Sequence, residues 1–303
     1  MLNRRILRIK AFKAVYSLAE NPGTDAKDIL SQLDRSCEAA RDLYLYLLGI
    51  IVPLTREAEA RIAAARGKFN PSEEELNPNM KFVENRIAEI LAEDPDFAKL
   101  SAKKKFSWDQ CDVLLRHLYD NIRSRDYYKA YMESGKSSLK EDAALWADIF
   151  ASEFEDNEEL APILEDLSIW WNDDLEYALN WCCRTCDDLG KGEPWKLLPL
   201  YMNELTGKGD SDREFVRKTV RTACAKYDEY CEKVASISSK WELGRICVTD
   251  LALIVCGLAE AASFPEIPVK VIINEYVEIS KFYSTPESRA FVNGILDKLL
   301  NNK

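Results

Sequence analysis

Residues 267–299 read IPVKVIINEYVEISKFYSTPESRAFVNGILDKL, and this stretch decides the fold class. Pro265 and Pro268 punctuate its start, apolar residues then return at helical spacing, and Ser284 with Glu287 has the spacing of a capping box, with Pro286 in the first turn of the helix that follows. The same grammar recurs at Ser107 with Gln110 and at Ser138 with Glu141. Alternation of apolar and polar residues bounded by turn residues, the mark of strands, is missing. The chain reads as all-α.

Working outward, KWELGRICVTDLALIVCGLAEAASF is too apolar to be anything but a central core helix, and DREFVRKTVRTACAKYDEYCEKVA precedes it. Before that, GKGEPWKLLPLYMNELTGKGDSD holds four glycines and two prolines and reads as a linker, with a boundary near residue 211. At the other end a helix is predicted from about Asn3 to Ala19, stopped at Asn21, Pro22 and Gly23, and a second near Asp25 to Leu33 leads into DLYLYLLGIIVPL and REAEARIAAARGKF. NPSEEELNPN, with Pro71 and Pro78, breaks that pattern.

The chain has 303 residues, enough for one large or two ordinary domains with real cores. Its start is too basic and interrupted for a signal peptide, and no run reaches the roughly 18 uncharged apolar residues of a membrane span. The nine cysteines sit mostly in apolar helical patterns, as reduced core thiols do, so a cytoplasmic location is expected. Catalysis finds little support. The single histidine, His117, lies between Leu114, Leu115 and Leu118 and reads as structural, and no nucleophile motif or phosphate loop is present. Cys182, Cys183 and Cys186 are the best metal candidates, but no second ligand pair at zinc spacing lies nearby, so neither metal nor cofactor is expected. Between Glu141 and Glu176, thirteen acids stand with no lysine or arginine, interleaved with Trp146, Phe150, Phe154, Trp170 and Trp171. That pattern fits solvated acidic faces over aromatic cores, or a dedicated binding surface.

Against a net charge of −11, residues 1–19 carry Arg4, Arg5, Arg8, Lys10 and Lys13 and no acid. They sum to +5 and leave −16 for the remainder. Wound at 100° per residue, Leu7, Ala11, Ala14 and Leu18 form an apolar stripe with Val15 beside it, and Arg5, Arg8, Phe12 and Tyr16 lie on its flank. Arginines beside aromatic rings supply phosphate contacts and stacking faces, the combination used for single-stranded RNA. In the competing reading, Phe12 and Tyr16 are core and the cations solubilise a terminus.

Together the two ends resemble the NusB family of transcription antitermination factors. RRILRIKAFKAVY, residues 4–16, looks like that family's arginine-rich first helix. Residues 212–300 resemble its second half: DREFVRKTV, the tryptophan and arginine of KWELGR, Asp250 before a buried helix ending in Glu260, then an IP, a V-x-INE and an FVNG-x-LDK in order. Val255 and Ala259 depart from the arginine and tyrosine usual in the family. The resemblance implies an all-α, NusB-like bundle with a large helical insertion: residues 1–35 and 211–303 would form the core, and 36–210 the insertion. It implies a non-enzymatic bacterial factor that binds boxA-type single-stranded RNA of nascent ribosomal transcripts with ribosomal protein NusE, in the transcription elongation complex. Arg4, Arg5, Arg8, Lys10, Phe12, Tyr16 and Glu287 would contact RNA, and Tyr16, Asp250 and Glu260 the partner. The alternative is a helical scaffold that keeps the NusB-like core and binds protein only.

Overall fold

In a computed structural model, residues 1–135, 137–201, 211–237 and 246–301 are described. The tryptophan and arginine of KWELGR lie outside these residues, as does much of the glycine-rich linker. Among the described residues the secondary structure is helical, apart from one isolated parallel bridge between Leu2 and Tyr201.

Helix α1 (Arg4–Glu20) starts where Asn3 accepts the Ile6 amide at 3.0 Å. Next comes α2 (Ala26–Leu48), one continuous helix that takes in both the short second helix of the sequence reading and the DLYLYLL run. The chain continues through α3 (Ile51–Arg66), α4 (Glu73–Leu76), α5 (Arg86–Glu93), α6 (Pro95–Lys104), α7 (Asp112–Ser124) and α8 (Asp126–Glu133). Helices α9 (Leu139–Ser152) and α10 (Leu160–Leu167), a 3-10 turn (Ile169–Trp171) and α11 (Leu175–Gly190) follow. Last come α12 (Asp212–Ala225), α13 (Tyr227–Ile237), α14 (Val248–Ser263), α15 (Val269–Tyr283) and α16 (Ser288–Asn301).

Two compact units emerge. One joins Met1–Glu38 to Pro199–Lys303, and the other is Ala39–Leu198; the sequence reading divides the chain at 35/36 and 210/211. In the first unit α14 is the centre, with Ala252 through Glu260 buried without interruption. Phe12 and Val15 of α1, Tyr276 of α15 and Leu296 of α16 pack around it. Burying one such side chain contributes about 1.5–3 kcal/mol. Val255 and Ala259, the two departures from the family pattern, lie wholly inside this core. Gly257 lets helices approach, because a Cβ there would stand 2.8 Å from Leu296 Cδ2.

The segment read as a linker packs at its described end: Leu200 and Tyr201 are buried, and the Leu2 amide donates to the Leu200 carbonyl at 2.8 Å. In the second unit α9 and α11 lie against each other, and Cys182 and Cys186 are buried thiols, pushed well above their ordinary pKa by burial. Of the three predicted capping boxes, Ser138 does accept the Glu141 amide, at 3.2 Å. Ser107 instead closes a local turn to Asp109, because the chain must first bury Trp108, whose indole stacks on Tyr46 at 4.2 Å and donates to the Tyr46 carbonyl at 3.0 Å. Helix α7 starts only at Asp112. Ser284 turns its hydroxyl to Asp250, so Pro286 precedes the last helix and does not open it. His117 is exposed, with Nδ1 2.8 Å from Glu159, and is not held among the leucines beside it. No described helix is long and apolar enough to cross a membrane.

Candidate nucleic-acid interface

Leu7, Ala11, Ala14 and Val15 of α1 are buried, which turns the arginine flank toward α12, α14 and α15. Each arginine meets an acid there. Arg8 is buried and pairs through two nitrogens with Glu260, Nη2 to Oε1 at 2.6 Å and Nε to Oε2 at 2.9 Å. Tyr276 donates to the same carboxylate at 2.9 Å. Burial opposes the Arg8 charge, but the bonds and field of Glu260 outweigh it, so the guanidinium is held cationic. The same burial raises the Tyr276 phenol well above its ordinary pKa and keeps it a donor.

Arg4 donates to Asp212 Oδ1 at 2.7 Å and lies over the Phe215 ring, 4.0 Å from its centroid. Arg5, 51% exposed, forms two bonds with Glu275, at 2.9 and 3.2 Å. Its bond holds the Glu275 carboxyl below the usual glutamate range. Glu275 also faces Arg8 at 3.5 Å. Eight residues further along both helices, Lys13 Nζ stands 5.6 Å from the Tyr283 ring centroid. This shared step shows that α1 and α15 run side by side in the same direction.

An exposed rail results along α1. Arg5 and Tyr16 are eleven residues apart, which brings them back to one face at a separation of about 16 Å. Lys13 lies between them, half-buried, and Tyr16 is 38% exposed. Beneath the rail Phe12 is core, its ring 5.3 Å from Tyr283 and 6.3 Å from Tyr16. Cationic and aromatic groups on one open face can take phosphates and stack bases.

The predicted contact residues therefore divide. Arg5, Tyr16 and Glu287 are open to solvent, and Arg4 is partly so. Arg8, Lys10, Phe12, Asp250 and Glu260 are buried, Phe12 within the core that positions α1 and Arg8 and Glu260 paired with each other. Asp250 accepts from Ser284 at 2.6 Å and Ser288 at 2.7 Å, tying the start of α14 to the start of α16. With Cys247, Thr285, Glu287 and Phe291 it lines an open cup of about 440 Å³. Sequence reasoning missed the acids that hold the arginines, Asp212 and Glu275. Both stand inside the motifs that carried the resemblance, DREF and INE, which is the signal that could have found them.

The sequence model of the NusB family matches residues 195–301. The transcription antitermination protein NusB of Desulforamulus reducens is 36% identical over 116 residues, which cover 38% of this chain and 80% of that protein. Its namesake from Geobacter sulfurreducens is 32% identical over 112 residues, covering 37% and 81%. That of Salinibacter ruber is 37% identical over 90 residues, covering 30% and 56%. No solved structure matches the chain.

Proposed function

This chain belongs to the NusB family, and we propose that it acts in transcription antitermination by binding boxA-type single-stranded RNA together with NusE. The observation that carries this reading is the rail from Arg5 to Tyr16, an exposed cationic and aromatic face on a protein of net charge −11. Such a protein should otherwise repel RNA. Arg5, Arg4 and Tyr16 are the direct contacts in this proposal. Arg8 and Glu260 act behind them, fixing α1 at the angle that exposes the rail. Arg5 exchanges the Glu275 carboxylate for a phosphate when RNA arrives.

Few cations are available, so affinity is proposed to depend on a basic partner that adds its own. NusE fits the acidic remainder by charge. Asp250 shapes the partner face from beneath, by holding Ser284 and Ser288, and Glu287 lies on the rim of the cup. The test is a titration of boxA RNA into the full-length protein with and without NusE. NusE should tighten RNA binding, and RNA should tighten NusE binding by the same factor. NusE binding without any RNA binding would favour the protein-only scaffold.

A further inference from the structure

The acidic stretch of the second unit carries a surface distinct from the first-helix site. Leu160 and Leu164 of α10 are buried, and Leu167 continues their stripe yet is 52% exposed, so the apolar face runs past the core it serves. The 3-10 turn adds Ile169, 75% exposed, and Trp170, 37% exposed. Three of the ten bulky apolar residues exposed among the described residues thus fall within four positions, which is a patch and not scatter. The ledge is built firmly. Ser168 accepts the Trp170 amide at 3.3 Å, and Trp171 behind it is buried, stacked 5.4 Å from Tyr46.

Glu165, Asp166 and Asp173 stand exposed beside the ledge, in a stretch that contains no lysine or arginine. We propose that this ledge docks a basic protein segment, one that sets apolar side chains among its lysines or arginines. The apolar residues call for cover from water, and the acids select what covers them. RNA and anionic lipid are repelled by the same carboxylates within a screening length of about 10 Å. A second copy would oppose acid to acid. Trp170, the largest of the three exposed apolar residues, is the anchor for the incoming apolar groups.

The probe is an amphipathic helical peptide of lysine and leucine, titrated into the full-length protein beside a control with glutamate for every lysine. The wild-type chain should bind the lysine peptide and ignore the control. Replacing Leu167, Ile169 and Trp170 by Ser, which leaves Trp171 in the core, should weaken binding about tenfold or more with helicity retained. Glu165→Lys with Asp166→Lys and Asp173→Lys should exchange the preference between the peptides. Equal binding by the serine variant would reveal only general attraction to an acidic protein and overturn the proposal, as would no binding at all. A wild-type dimer in sedimentation that the serine variant abolishes would also overturn it, by making a second copy the occupant.

Discussion

Arg8 and Glu260 are separated by 252 positions and meet in the core with two short bonds and a tyrosine hydroxyl as third partner. A buried pair of this kind is weak evidence for net stabilisation, but removing one member strands the other. Arg8→Ala is therefore expected to lower unfolding free energy by about 3–5 kcal/mol in urea denaturation, far beyond the surface change Arg5→Ala. Similar losses for the two variants would show that Glu260 is not stranded. Glu275 gives a pH dependence with a definite sign. Its carboxyl lies below its ordinary 4.5 because Arg5 bonds the charged form. The pair's contribution is thus complete above pH 4.5 and fades as pH falls through the lower folded value. Glu275→Gln should flatten the acid limb of the stability profile, slightly, since the pair is partly exposed. The cations of this cluster were legible in the sequence, but their counterions were not: a helical wheel reports which residues share a face, never which distant face it meets.

At the scale of elements, the central α14 and the apolar stripe of α1 were readable because burial imprints a period on composition. Helix starts were less legible. Ser72 and Ser211 cap α4 and α12, yet only the Ser138 site among the three predicted boxes caps a helix. Serine spacing cannot say whether a tertiary partner such as Asp250, or the burial of Trp108, will claim the residue first. A closer constraint operates between α9 and α11. A Cβ on Gly190 would stand 2.7 Å from Ala143 Cβ, with the Lys140 and Leu139 backbone just behind. Ala143 has no flexible end to move aside, so Gly190→Ala should destabilise the second unit by about 1–3 kcal/mol in thermal or urea melts. An unchanged or raised midpoint would mean that the two helices separate at little cost.

Across the whole molecule, the family resemblance lay in the first unit, and the second carried no recognisable motif, only helical periodicity and charge. Some of its acids are engaged by cations from outside the acidic stretch, as Asp142 is by Arg86, Glu153 by Arg125 and Glu141 by Lys81. If the second unit does not act as an internal competitor for the rail, deleting Ala39–Leu198 and bridging with a short flexible linker should leave RNA affinity within a factor of about two. A marked gain in affinity would identify it as a mimic of RNA. The central claim is that exposed α1 arginines meet phosphates directly while buried Arg8 does not. The slope of log affinity against log salt tests this, since each phosphate contact to a single strand contributes roughly −0.7. The double variant Arg4→Ala with Arg5→Ala, confirmed folded, should flatten that slope by about 1.4, the share of two contacts. An unchanged slope in the folded double variant would contradict the claim and place RNA elsewhere on the protein.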